Sequence, residues 1–166
     1  MHKKLFVSLA MLVALSLISI PALAGPPEDA SGEWCYTPET MTVEKIAGGN
    51  QFFTTTETAT WTGTFDGASA DHCRAVIHSS GAWWGVCEIS FASVTVGGKP
   101  GALEMFAVLS RPGASADWIG KWVITAGTGA LKDLRGQGTM SGPGWQGDPA
   151  VCGVIDYSGN IHFKPD

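Results

Sequence analysis

From Gln51 onward the chain is a succession of short runs rich in threonine, aromatic and β-branched residues, each closed by turn formers. The runs are Gln51–Thr56, Thr58–Phe65, Arg74–His78, Trp83–Val96, Leu103–Leu109, Trp118–Thr125, Gln137–Ser141 and Val151–Tyr157. Between them stand Gly48-Gly49-Asn50, Asp66-Gly67, Ser80-Gly81, Gly97-Gly98, Pro112-Gly113, Gly142-Pro143-Gly144 and Ser158-Gly159-Asn160, where glycine supplies a positive φ or proline a preset one. No stretch after Ala24 keeps an apolar helical period. About eight strands joined by tight turns predict an all-β antiparallel fold, either a single closed β-barrel or a β-sandwich. The strand faces favour the barrel. Trp118, Trp122 and Ile124 share one face while Ile119 and Val123 share the other, and Leu103, Met105 and Leu109 oppose Phe106 and Val108. Strands apolar on both sides need cover on the outside too, which a partner copy of the chain packed against a small barrel supplies. A sandwich whose outer residues are covered by its own loops is the alternative.

Residues 1–24 read as an export signal. A basic start (His2, Lys3, Lys4) leads into an apolar stretch from Leu5 to Ile20, then Pro21 and the small-x-small exit Ala22-Leu23-Ala24. The apolar stretch is shorter than the roughly 20 residues that span a bilayer, so cleavage after Ala24 is expected, with no membrane association afterwards. Residues 25–32 are expected to be a flexible arm and 33–166 the barrel domain. Losing the leader takes Lys3 and Lys4 with it, which leaves 8 basic against 15 acidic residues, a formal charge of −7. That balance excludes nucleic acid and anionic membrane as partners, because both need a basic surface. The expected location is secreted or periplasmic.

All four cysteines lie in the exported part, and an even count in such a chain reads as two disulfides. Their spacing matches no zinc pattern. Cys73 and Cys87 flank the turn Ser79-Ser80-Gly81-Ala82 almost symmetrically, which favours a Cys73–Cys87 bridge and leaves Cys35 with Cys152.

The glycine-rich stretch "VITAGTGALKDLRGQGTM" (Val123–Met140) invites a nucleotide reading and fails it. A phosphate loop needs Ser or Thr after its lysine, but Asp133 follows Lys132; a dinucleotide fingerprint from Gly127 needs glycine where Lys132 stands. No cofactor is implied. What the stretch supports is geometry: positive φ at Gly127 and Gly129, one short helical turn over Ala130–Leu134, and Leu131 and Leu134 turned inward as a plug. Here the chain also resembles a family. "WVITAGTGALKDLRGQGTMSG" is similar to the W-x-V then G-T-G-x-L-x-x-L-x-G-x-G pattern of the DUF3224 family, and "WTGTFDGASA" to its T-G-T-L-D-G-x-S strand and turn. The resemblance runs in order from Thr58 to Gly142. It implies the eight-stranded barrel of the allene oxide cyclase and dirigent group, with a lumen able to take a small apolar molecule.

Candidate chemistry is sparse. Glu88 in "VCEISF" and Glu104 in "ALEMFA" are acids inside apolar strands, where burial would raise a carboxyl toward acid–base use. The plainer expectation is that both face outward or meet Arg74 or Arg111. His72, His78 and His162 have no metal-ligand spacing, so no metal is expected. Asp133 and Arg135 read as a local ion pair or cap. The seven tryptophans are the most informative group. Most are expected in the core, but Trp118, Trp122, Trp84 and Trp145 are candidate ligand contacts. Trp83 and Trp84 are adjacent on one strand, so one ring is inside and the other outside. Trp145, in "GPGWQGDP", is the ring expected at a mouth. Gly136, Gly138 and Gly120 beside large rings suggest open space in the lumen.

Three functions remain open on this reading: a secreted barrel binding a small, largely apolar ligand in its lumen, a cyclase- or isomerase-like enzyme using a lumen carboxylate, and a structural or interaction protein with a filled barrel. The bridging pattern is directly testable. Non-reducing peptide mapping should recover Cys73 linked to Cys87 and Cys35 linked to Cys152; a Cys35–Cys87 or Cys35–Cys73 peptide would overturn the assignment.

Overall fold

The computed structural model describes residues 26–148 and 150–164. The expected export signal, residues 1–24, therefore lies outside the described residues. Eight antiparallel strands follow one another: β1 (Glu28–Ala47), β2 (Asn50–Gly63), β3 (Phe65–Ile77), β4 (Trp83–Val96), β5 (Lys99–Arg111), β6 (Trp118–Gly127), β7 (Leu134–Gly144) and β8 (Gly153–Phe163). Each pairs with the next, and β1 pairs with β8, so the sheet closes into a barrel. The sandwich alternative is set aside by that last pairing.

β1 begins earlier than expected. Residues 28–32, read as part of a loose arm, pair with Ile161 to Tyr157 of β8, and Ala30 is buried. Polar side chains at alternate positions hid a strand whose inward partners are alanine and glycine. Three expected turns also lie inside strands. Asp66-Gly67 belongs to β3, Gly142-Pro143-Gly144 ends β7, and Ser158-Gly159-Asn160 is mid-β8. The glycines there answer to crowding, not to chain reversal: a side chain at Gly159 would run into the Trp122 ring and the Gln137 carbonyl. The real β2–β3 reversal falls at Gly63-Thr64, where Gly63 has φ +92°.

The two disulfides are Cys35–Cys152 and Cys73–Cys87. Cys73 and Cys87 are direct cross-strand partners on β3 and β4, both buried on the lumen side. Cys35 lies where β1 meets β8, and its bond to Cys152 fixes the segment leading into β8.

The lumen is filled at one end. A single 3-10 turn, Gly129–Leu131, follows β6, and Leu131 and Leu134 are fully buried as the expected plug. Gly129 takes φ +60°, whereas Gly127 is not left-handed; it is glycine because the Leu131 carbonyl packs where a side chain would start. Above the plug, rings cross the barrel. Trp61 packs on Trp34 at 5.6 Å, Phe91 at 5.4 Å and Tyr157 at 5.3 Å, and Phe65 meets Trp122 edge-on at 5.5 Å. Such pairs add about 0.5–1.5 kcal/mol each beyond their area. The Tyr157 hydroxyl accepts from the Phe65 N–H and donates to the Thr62 carbonyl, both at 2.9 Å, so the ring layer carries its own polar anchor.

The glycines suspected of leaving space do not. A methyl group on Gly138 would overlap the Ser158 carbonyl and the Trp122 indole, one on Gly120 would meet Leu109, and one on Gly136 would meet Ile161 and Ile124. Accordingly Gly138→Ala should destabilise the fold by about 2 kcal/mol or more. Gly113→Ala, where a Cβ meets nothing within 4 Å and φ is not left-handed, should be neutral or slightly stabilising in the same thermal melts.

Candidate functional site

The other end of the barrel is open. The upper rows of β1–β6, the start of β8 and the loop 145–147 enclose a cavity of about 360 Å³. This is the low end of the range that holds small ligands. β8 pairs with β1 only as far as Tyr36, while β1 runs on to Ala47 against β2. Pro38 and Met41 on that extension and Trp145, Gln146 and Gly147 on the facing loop form one side of the entrance.

Strand alternation brings five rings to the wall, Trp34, Tyr36, Phe53, Trp83 and Trp118, and the loop after β7 adds Trp145. The Trp83–Trp84 step resolves as expected, with Trp83 inside and Trp84 outside, 47% exposed. Of the four candidate ligand contacts, Trp118 and Trp145 line the cavity. Trp84 does not, since its ring is on the outer face. Trp122 does not either: it is buried in the filled half, and its indole N–H donates to the Ser158 carbonyl at 3.2 Å. Trp145 is held from two directions. Its backbone N–H donates to the Tyr36 hydroxyl at 2.9 Å, and its indole N–H donates to the Asp148 carbonyl at 2.9 Å. The loop that carries it is thereby tied to β1.

The two acids singled out in the sequence are on the outside. Glu88 forms an exposed ion pair with Arg74 at 3.2 Å, and Glu104 accepts a hydrogen bond from Ser90 at 2.7 Å. Exposed pairs of this kind contribute little. Arg111, the other expected partner, stands among the cavity rings with its guanidinium carbon 4.7 Å from the Trp83 ring centroid and 5.1 Å from that of Trp118. Asp133 pairs with Lys132 at 3.5 Å, and Arg135 donates to the Leu134 carbonyl at 2.6 Å, so the D-L-R step is local structure. Among the described residues no group of three or more metal-ligating side chains could hold a metal ion.

The acids that do face inward are Glu57 and Asp71, direct partners across β2 and β3. Glu57 lines the cavity and accepts from the Thr55 hydroxyl at 3.0 Å. Asp71 lies behind it, with Oδ2 accepting from the Trp34 indole N–H at 3.2 Å and Oδ1 left without a hydrogen-bond partner. Burial pushes the Glu57 carboxyl up to about 7; the Thr55 hydrogen bond offsets part of the rise and the charge of Asp71 adds to it. Burial likewise lifts Asp71 to about 6 against the pull of Ser69 and Trp34. The Tyr36 hydroxyl sits in the field of both Glu57 and Arg111, and burial raises it to about 12. Sequence reading missed this pair because "TTTETAT" and "SADHC" look solvated. The available signal was parity: Glu57 alternates with Phe53, Ala59 and Trp61, and Asp71 with Cys73.

Fold and cavity together define an up-and-down eight-stranded barrel, plugged at one end and open to an aromatic, acid-floored pocket at the other. A solved structure of a DUF3224-family protein of unknown function from Shewanella oneidensis MR-1 has this fold, with a TM-score of 0.62 and 16% identity over 85% of this chain and 100% of that one. The resemblance carried by the G-T-G-x-L-x-x-L-x-G stretch is thus shown at the level of the fold. No family model matches the chain, and no curated protein matches it.

Both buried carboxyls hold protons more tightly in the folded chain than in the unfolded one. Stability is therefore complete below their ordinary range, near pH 4, and falls as pH rises through about 6 to 7. Melts should show a lower transition temperature at pH 8 than at pH 5. Glu57→Gln should flatten that dependence and stabilise the protein at pH 8, on the order of 1–3 kcal/mol, while keeping the Thr55 hydrogen bond. A pH profile unchanged in that variant would place the titration elsewhere.

Proposed function

We propose that the protein is an exported β-barrel that binds one small, largely apolar molecule in the open half of its lumen. The carrying observation is the cavity of about 360 Å³ walled by six aromatic rings, with few polar groups to orient a guest. An eight-stranded barrel is wide enough for one small ligand when side chains do not fill it. Here the filled half ends at the Trp34–Trp61 stack and the open half begins. Two disulfides suit an oxidising extracellular or periplasmic compartment. Cleavage after Ala24 is the route there.

A second reading is acid–base chemistry in the same cavity, and the Glu57–Asp71 pair favours it. A carboxyl titrating near neutrality beside a second one can give and take a proton. That reading rests on Glu57, not on Glu88 or Glu104. Binding without chemistry predicts that Glu57→Gln keeps its ligand.

The outer face offers a separate contact. Trp84, Val108, Ile119 and Val123 are exposed on β4, β5 and β6, the strip for which a second copy of the chain is the proposed cover. Such a patch is what a self-associating barrel leaves bare as a monomer.

Titration with the neutral dye N-phenyl-1-naphthylamine, followed by tryptophan quenching, tests the binding function. Saturable one-to-one quenching is expected, and Ala75→Phe, which projects a ring into the cavity, should abolish it with circular dichroism unchanged. No saturable signal across a panel of apolar probes would put the interaction-protein reading first.

A further inference from the structure

We infer that the cavity is built for a small aromatic carboxylate, its ring against Trp83 and Trp118 and its carboxylate on Arg111; this rests on the lumen-binding reading above. Among the described residues Arg111 is the only cationic residue that lines the cavity, and Glu57 is the only acidic one. The Arg111 side chain forms no ion pair among the described residues, and its Nε is buried without a hydrogen-bond partner. A buried donor left unmade is costly, more so on a charged group. The flanking rings compensate part of the charge, since a guanidinium near an indole is attracted to its π face. Rings supply no hydrogen-bond acceptor in the guanidinium plane. That plane remains available for an acceptor with two oxygens, and the planar fork of arginine matches a carboxylate.

The rest of the cavity sets the orientation. Arg111 ends β5 and is the cross-strand partner of Trp83, the first residue of β4, so it belongs to the mouth. Glu57 lies three inward-facing rows deeper, at the level of Asp71, Ile89 and Met105, while Arg111 shares a row with Trp83 and Ile77. An anion is repelled from the acid floor and attracted to the mouth, which leaves the apolar ring of the ligand to fill the space between. The exported chain carries a formal charge of −7 by sequence, so its overall field does not recruit anions. Only a local cation gives an acid any advantage, and Arg111 is that cation.

The test uses a matched pair. 1-Naphthylacetate and its uncharged amide, 1-naphthylacetamide, share ring and length and differ in the charge of the terminal group. Each is titrated against the protein carrying bound N-phenyl-1-naphthylamine. The acid should displace the dye with at least about tenfold higher affinity than the amide. In Arg111→Gln that ratio should fall to near one while the affinity for the neutral dye is retained. Equal displacement by the two compounds in the wild type, no displacement by the acid, or a ratio that survives in Arg111→Gln overturns the inference and leaves the lumen reading standing. Failure of the neutral dye to bind the wild type removes the lumen reading itself. If Arg111→Gln does not fold, the wild-type ratio decides, since an acid no better than its amide contradicts the inference without any variant.

Discussion

The pairing of β1 with β8 is the contact on which the rest of the structure depends. Left open, this sheet of eight strands with both faces partly apolar would keep two edges unpaired and its inner face uncovered. Closing it gives every strand two neighbours and turns the inner face into a core. The closure is also incomplete in an informative way. β8 leaves β1 at Tyr36, and the Cys35–Cys152 bridge stands at that point of departure. Below it the barrel is sealed. Above it β1 continues as one arm of a hairpin with β2, and the loop carrying Trp145 faces it across the entrance.

Closure creates an interior that side chains must either fill or leave as a cavity. Trp61, Phe65, Phe91, Trp122 and Tyr157 fill the lower half, with Leu131 and Leu134 beneath them. Glycine makes this possible, because Trp122 occupies the room that side chains at Gly138 and Gly159 would have taken. In the upper half the interlocking is partial: a side chain at Gly144 would run into the Trp118 ring, but other small residues lie beside open space. Ala75, Gly85 and the Cys73–Cys87 bridge face rings across the lumen and leave space between. The same device, small beside large, thus gives a packed core at one end and a cavity at the other. Whether the facing ring reaches across is what separates them.

The polar groups of the cavity follow from this division. Glu57 and Asp71 lie at the boundary between the filled and open halves, both buried, and Trp34 links Asp71 to the ring layer through its indole N–H. Burial without a cationic partner raises both carboxyls. Arg111 lies three inward-facing rows nearer the mouth, against the rings of Trp83 and Trp118. An acid and a base in one small cavity would ordinarily neutralise each other. Separated as they are here, Glu57 and Arg111 line the same cavity without an ion pair between them.

The sequence by itself determined the all-β class and the plug, and it favoured the two bridges that the structure contains. Period-two alternation, turn-forming glycines, the symmetric placing of Cys73 and Cys87, and the paired leucines of Gly127–Leu134 are local signals, and local geometry decides them. It did not determine which glycines turn the chain and which make room for a ring. Asp66-Gly67 and Ser158-Gly159-Asn160 have turn composition yet lie in strands, because their neighbours come from other strands. Nor did it place the site. Trp122 and Trp118 share a strand face four residues apart and both lie opposite a glycine, Gly138 and Gly142, yet the first is buried in the filled half and the second lines the cavity. Glu88 and Glu57 show the same limit. Apolar neighbours along the chain made Glu88 look buried and threonines made Glu57 look exposed, but burial is set by which face of the closed sheet a residue occupies. That face is fixed by register across strands, an interaction between residues far apart in sequence.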